Sequence, residues 1–206
     1  MNNQFSKYKP NSLVAWMLRL KYMIRWPLMR SSIKESVAEH TVEVAVIAHH
    51  LAVIAKVKFG KDTDPQMAAT YSLYHEASEA GGTSDIPTPV KYSSPVLTEA
   101  FKALEHEVET GMVDSYSDNE IKEYMSKFIV QRSIPAKYKT LVKAADIIAR
   151  YIKSMQEVNN KNREFTKAAE RAGKDIEHYS KELPEVAYFI EHFLDPCEKT
   201  LDDLIM

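Results

Sequence analysis

Three short stretches of the 206-residue chain carry side chains suited to metal-assisted chemistry. Glu39-His40 opens one apolar-periodic segment, His75-Glu76 with Glu79 closes another, and Asp146 lies within Lys143-Ala144-Ala145-Asp146-Ile147-Ile148. Imidazole and carboxylate donors together suit a divalent transition metal. Glu79 follows His75 by four residues, which places both on one face of a helix. A carboxylate one turn from a metal ligand is well placed to take a proton from a water at the ion. The neighbours of Asp146 (Leu141, Val142, Ala145, Ile148, Ala149) read as core-facing, and an ionised carboxylate there needs a cation or strong donors.

Each residue also has an ordinary reading. Asp146 could pair with Lys143 or Arg150 on a helix flank. His75 could pack on Tyr71 or Tyr74, with Glu76 and Glu79 solvated. His40 could be a core histidine bonded to backbone. His49 and His50 fit that last description better, having no carboxylate beside them in sequence, and no role is assigned to them. Spacing alone does not require the three stretches to converge.

The elements that must position them read as helices. Asn11 caps a first helix through Trp16, Leu18, Leu20 and Met23, which Pro27 closes. Ser36 stands three residues before Glu39, a capping-box spacing. Val37, Val44, Ile47, Leu51 and Ile54 then recur at helical intervals until Gly60. A third helix starts near Asp64-Pro65, carries Met67, Tyr71, Tyr74 and His75, and ends at Gly81-Gly82. Thr83 to Tyr92, with Asp85, Pro87 and Pro89, reads as a loop. Helical patterns cover Pro95 to Val113, a shorter helix capped by Ser117 with Glu120 three residues on, and Ala136 to Glu157. After a polar turn at Asn159 to Asn162 they resume from Arg163 to His178 and from Pro184 to Ile205. Nothing alternates with period two over a useful length, and no internal repeat or linker is visible. The expected fold is all-α: one helical domain over residues 1–206.

Composition narrows the partners. Hydrophobic residues make up 45% and charged residues 27%, an ordinary water-soluble balance, and only 5 Gly are present. A formal net charge of −2 offers no global attraction for a nucleic-acid polymer or an anionic membrane. The most apolar stretch, Val44 to Ala55, is short and broken by His49 and His50, so no membrane span is expected. Met1-Asn2-Asn3-Gln4-Phe5 lacks a signal pattern. The single Cys197 forms no intrachain disulfide. The expected location is the cytoplasm.

The order H…HE…D, with helices between, resembles the HD-domain phosphohydrolases. Within them the chain is similar to the bacterial HD-domain 5′-deoxynucleotidases, which hydrolyse deoxyribonucleoside monophosphates. Arg25-Trp26-Pro27-Leu28-Met29-Arg30 looks like that family's RWPLMR segment, and Val37-Ala38-Glu39-His40-Thr41 its VSEHS. Tyr74-His75-Glu76-Ala77-Ser78-Glu79 resembles YHDASE, and Asp85-Ile86-Pro87-Thr88-Pro89-Val90-Lys91-Tyr92 resembles DLPTPVKY. Leu141-Val142-Lys143-Ala144-Ala145-Asp146 resembles LVKQAD. These blocks cover about residues 18–155, the metal-site core, whereas the C-terminal helices (about 163–205) match only in helical character.

The resemblance implies an HD-type helical bundle in which His40, His75, Glu76 and Asp146 hold one divalent ion (Co, Mn, Zn or Mg) and Glu79 is the acid/base. It implies that Arg25 meets the phosphate, Trp26 packs near the sugar C2′, Asp85 binds the 3′-hydroxyl and Lys91 supports the phosphate. It also implies a homodimer. The expected activity is release of phosphate from 2′-deoxyribonucleoside 5′-monophosphates. The alternatives are a deoxynucleoside triphosphate triphosphohydrolase and a degenerate, non-catalytic nucleotide-binding module. Two departures bear on these. Glu76 stands where the family has Asp, moving the carboxylate out by about 1.5 Å, more than a preorganised site tolerates without adjustment. The segment Ala80-Gly81-Gly82-Thr83-Ser84 is about one residue longer than the family's and glycine-rich.

Overall fold

The computed structural model describes residues 8–205, and of Thr88 the backbone alone; the reading of Met1 to Phe5 lies outside these. Among the described residues there is no strand, only a single antiparallel bridge between Ile24 and Ser36. The chain order is α1 (Leu13–Met17), α2 (Val37–Phe59), α3 (Pro65–Leu73), α4 (Thr88–Lys91), α5 (Pro95–Asp114), α6 (Asn119–Ile129), α7 (Ala136–Asn159), α8 (Thr166–Glu182) and α9 (Pro184–Phe189). The all-α expectation holds. Among the described residues no helix is long and apolar enough to cross a membrane.

The chain divides into two compact units. The first comprises the chain up to Met29, Lys34–Thr41 and Leu73–Ala136; the second comprises Arg30–Ile33, Val42–Ser72 and the chain from Lys137 onward. The first is built on Leu13, Leu20, Val37, Ala77, Ala80, Met112, Val113 and Ile129, with Trp16, Met23 and Tyr74 packed against them. In the second, Leu51, Ile54, Leu141, Ile148, Phe165 and Val186 are buried. The second unit also buries an ion pair. Glu157 on α7 receives Lys153 Nζ at 2.6 Å and the Ser32 and Ile33 backbone amides at 2.9 and 3.1 Å. Lys153 Nζ also donates to the Ile33 carbonyl at 2.6 Å. Segment 30–33 is thereby fixed to the C-terminal end of α7.

Several helix boundaries differ from expectation, each for a local reason. The first helix is only five residues long and tightens into a 3₁₀ turn over Leu18–Tyr22; Ser12, not Asn11, precedes it, and Asn11, at φ +56°, instead accepts the Ser117 amide through Oδ1 at 2.9 Å. The Ser36/Glu39 capping box forms as expected: the Glu39 carboxylate accepts from the Ser36 amide at 2.6 Å, and Ser36 Oγ accepts from the Glu39 amide at 3.2 Å. Gly60, at φ +62°, follows the end of α2. Asp118 rather than Ser117 caps α6, its carboxylate accepting the amides of Glu120 and Ile121. The expected loop from Thr83 to Tyr92 contains α4, begun by the Val90 amide donating to the Pro87 carbonyl. The last expected helix ends at Phe189 and continues as a π turn (Ile190–Leu194) and short 3₁₀ turns.

The third helix matters most. It stops at Leu73, so His75 and Glu76 lie in a turn rather than on a continuous helix. The chain then widens into a π turn over Glu79–Thr83, kinked within it at Gly82, φ +121°. About one extra residue is expected in this segment from the sequence, and a π turn is one way a helix absorbs an insertion. Gly81 lies under close cover: a Cβ there would sit 2.3 Å from Val108 Cγ1 and 2.6 Å from Met112 Sδ. Its carbonyl accepts the Tyr8 hydroxyl at 2.7 Å.

Candidate metal and phosphate site

The first unit gathers most of the chemistry-bearing residues. The capping box starts α2 so that His40, on its first turn, is fully buried. The turn after α3 brings His75 and Glu76 beside it. The His40 and His75 rings are 5.4 Å apart between centroids. Glu76 Oε1 lies 3.2 Å from His75 Nε2 and 3.8 Å from His40 Nε2. Among the described residues this is a candidate metal-holding group within one unit, its ligand atoms all within 4.8 Å of one another. Two ligands bound about 2.1 Å from a shared ion stand at most about 4.2 Å apart, and both Glu76 distances fall inside that limit. Two imidazoles and a carboxylate are a fitting donor set for a divalent transition ion. The longer reach of glutamate at position 76 does not take its carboxylate away from the imidazoles.

Glu79 opens the π turn. Burial pushes its carboxyl up to about 9, with the negative charges of Glu76 and Asp85 adding to the effect and Arg25 and Lys91 opposing it. Asp85 is likewise raised, first by burial; the Arg25 charge and a hydrogen bond from the Trp26 amide at 3.0 Å oppose that rise. Lys91, at the end of α4, donates to Glu105 at 2.5 Å. Burial would lower its ammonium, but the Glu105 bond and charge outweigh this and leave it raised. Arg25 lies over the Trp26 ring, 5.4 Å from the centroid. Trp26 itself adopts φ +63°, a left-handed conformation uncommon for a bulky residue and a recurring mark of functional sites.

Asp146 stands in the other unit, on α7, where Lys143 Nζ donates to its Oδ2 at 2.7 Å. One of the ordinary partners expected for it is therefore present. His50 bonds the Val46 carbonyl through Nδ1 at 2.8 Å, a backbone partner as expected, but it is exposed rather than in the core.

One residue of the site was not anticipated. Glu35 is buried. Both of its oxygens accept from Arg25 Nη1 at 3.0 Å, and Oε2 accepts from Trp26 Nε1 at 2.8 Å. The available signal was indirect, since an arginine and a tryptophan side by side both require an acceptor.

The class of protein follows from fold and site together. The fold is shared with an HD-domain phosphohydrolase from Listeria innocua (TM-score 0.78, 21% identity, covering 89% of this chain and 87% of that one). It is also shared with the HD phosphohydrolase DatZ of cyanophage S-2L, solved with dA and one catalytic Zn²⁺ ion (TM-score 0.62, 16% identity, covering 88% and 96%). The chain belongs to the YfbR-like 5′-deoxynucleotidase family, whose model matches residues 12–197. A 5′-deoxynucleotidase of Vibrio cholerae is 35% identical over 190 residues, 92% of this chain and 96% of the relative. 5′-Deoxynucleotidase YfbR of Shigella boydii is 35% identical over 196 residues, 95% of this chain and 96% of the relative.

Proposed function

We propose that the chain is a phosphoric monoester hydrolase that converts 2′-deoxyribonucleoside 5′-monophosphates to deoxynucleoside and phosphate. The observation that carries this reading is the His40, His75 and Glu76 cluster beside a half-buried Glu79 in a member of this family. His40, His75 and Glu76 are the proposed ligands of one divalent ion, and Asp146 joins them through the sequence block it shares with the family. The ion, when bound, supplies Lewis acidity toward a phosphoryl oxygen and an acidified water, and offsets the Glu76 charge that helps to keep Glu79 protonated. Glu79 takes the proton of the attacking water. Arg25 meets the phosphoryl oxygens, where a planar guanidinium matches their geometry. Trp26 flanks the sugar, Asp85 receives the 3′-hydroxyl, and Lys91 adds positive charge near the phosphate. A deoxynucleotide in the cytoplasm is the proposed substrate, and the lone Cys197 suits that compartment.

Phosphate release from dAMP, AMP and dATP in the presence of Mn²⁺, Co²⁺, Zn²⁺ or Mg²⁺ tests the reading. The expected result is metal-dependent release of phosphate from dAMP in preference to AMP. Release of triphosphate from dATP, or rates indifferent to chelation, would replace it with another activity.

A homodimer is proposed as well. Val42, Val46 and Val57 form an exposed apolar stripe on α2 at near-helical spacing. Sedimentation equilibrium should give twice the chain mass of 23.6 kDa. Val46→Glu should shift it toward one chain, and a parent protein sedimenting as a single chain would exclude the assembly.

A further inference from the structure

We infer that Glu35 is a positioning residue that ties the phosphate-binding arginine to a metal-ligand histidine. The inference rests on the roles proposed above for Arg25 and His40, and adds a residue to them. A carboxylate buried to 6% exposure is costly unless strong donors meet it. Among the described residues, the side-chain donors that meet Glu35 belong to Arg25 and Trp26, both site residues. Arg25 gives it Nη1 at 3.0 Å to each oxygen, and Trp26 gives it the indole N–H at 2.8 Å. Its Oε1 also faces His40 Nδ1 at 3.8 Å, on the opposite side of the ring from the Nε2 that faces Glu76.

The main chain makes the same connection. The Arg25 amide donates to the Glu35 carbonyl at 2.9 Å, and the Val37 amide to the Met23 carbonyl at 2.9 Å. The chain therefore doubles back on itself between Met23 and Val37, and this reversal, through the left-handed Trp26, delivers Arg25 to the N-terminus of α2.

Three consequences follow for the chemistry. Holding Nη1 sets the plane of the guanidinium before a phosphate arrives, and phosphate recognition by arginine depends on that plane. Holding the indole N–H fixes a ring whose backbone is strained. A carboxylate on the Nδ1 side of His40 favours the tautomer with its proton on that side, which presents Nε2 toward Glu76 as a ligand. Metal-bound histidines are commonly oriented by a carboxylate in this way, and loss of the carboxylate typically costs 10–100-fold in affinity or activity.

The test compares Glu35→Ala and Glu35→Gln with the parent, using Mn²⁺ titration by calorimetry and steady-state kinetics on dAMP. Glu35→Ala is expected to weaken Mn²⁺ binding by about ten-fold or more and to raise KM for dAMP by a similar factor. Glu35→Gln keeps an acceptor oxygen for Arg25 and Trp26 but loses the charge facing His40, and is expected to fall between parent and alanine, about three-fold weaker than the parent in both constants. A carboxylate that only stabilised the fold would lower Tm in the variants and leave both constants of the folded protein unchanged; that result overturns the inference. If Glu35→Ala does not fold, a glutamine variant equal to the parent in both constants overturns it equally. The Mn²⁺ titration needs no turnover. A parent that binds Mn²⁺ but releases no phosphate would remove the proposed substrate while leaving the His40 connection to be decided by titration.

Discussion

Glu79→Gln is expected to slow phosphate release by about 10²–10⁴-fold, the range for loss of a positioned general acid/base, and to make the metal-free protein more stable at neutral pH. The two effects share one cause. The Glu79 carboxyl is raised to about 9, from an ordinary value of 4.5, by burial and by Glu76 and Asp85. Between those two pH values the folded protein keeps a proton that the unfolded chain has released. The folded state therefore binds more protons, and stability falls as pH rises through that window, by at most about 1.4 kcal/mol per pH unit. Above about 9 both states are ionised and the loss levels off. Glutamine never ionises, so the variant escapes this penalty. Thermal denaturation of the metal-free proteins at pH 5 and pH 8 should show the Tm difference between variant and parent growing toward pH 8. Phosphate assays with saturating Mn²⁺ should show the loss of rate. A variant with parental turnover would remove Glu79 from the mechanism; a Tm difference independent of pH would remove the protonated carboxyl. Stability given up at a reacting group is a familiar exchange in enzymes.

Glu157→Ala should destabilise the protein by roughly 3–5 kcal/mol, the range for removing one partner of a buried ion pair. Glu157 is fully buried. Burial alone would raise its carboxyl, but hydrogen bonds from Lys153, Ser32 and Asn162 outweigh this and hold it far below the usual carboxylate range. Ser32 Oγ donates at 2.5 Å and Asn162 Nδ2 at 2.9 Å, in addition to the bonds from Lys153 and the two backbone amides. The alanine variant leaves the buried Lys153 ammonium without its counter-charge and frees segment 30–33 from its acceptor. For a chain of this size the loss corresponds to a fall in Tm of roughly 10 °C. Because the folded value is depressed, the stabilisation is present above pH 4.5 and is lost as pH falls below it. Circular dichroism melts at pH 7 and pH 4 measure both. Adding Lys153→Met to a Glu157→Leu variant should recover part of the loss, since an apolar pair of similar volume often replaces a buried ion pair well. A Glu157→Ala protein melting within 2 °C of the parent, a margin well under the expected shift, would show that the network contributes little.

Much of this was legible in the sequence. The helical periodicity and the Ser36/Glu39 capping box located α2, and with it His40, because local hydrogen bonding fixes that start. His75, Glu76 and Glu79 were correctly grouped, but as parts of one helix; the break after Leu73 carries no proline or glycine to announce it, and comes from the turn that brings His75 and Glu76 beside His40. Arg25, Trp26 and Asp85 were identified only through resemblance. Their connection, an amide of Trp26 on Asp85 and an indole on Glu35, depends on a left-handed tryptophan that no local propensity favours. Glu35 was missed because a charged residue before a helix ordinarily faces water, and its burial is a consequence of the chain reversal alone.

The widened turn from Glu79 to Thr83 bears on how such an enzyme diversifies. A bulge in the helix wall that gains or loses a residue changes its own contour while Glu79 at its start and Asp85 after it stay near Arg25. Length variation at this position is then a means of reshaping the surroundings of a bound sugar or base without moving the groups that handle the phosphate. Deleting Gly82 is expected to alter the order of preference among nucleobases more than the rate on the best of them.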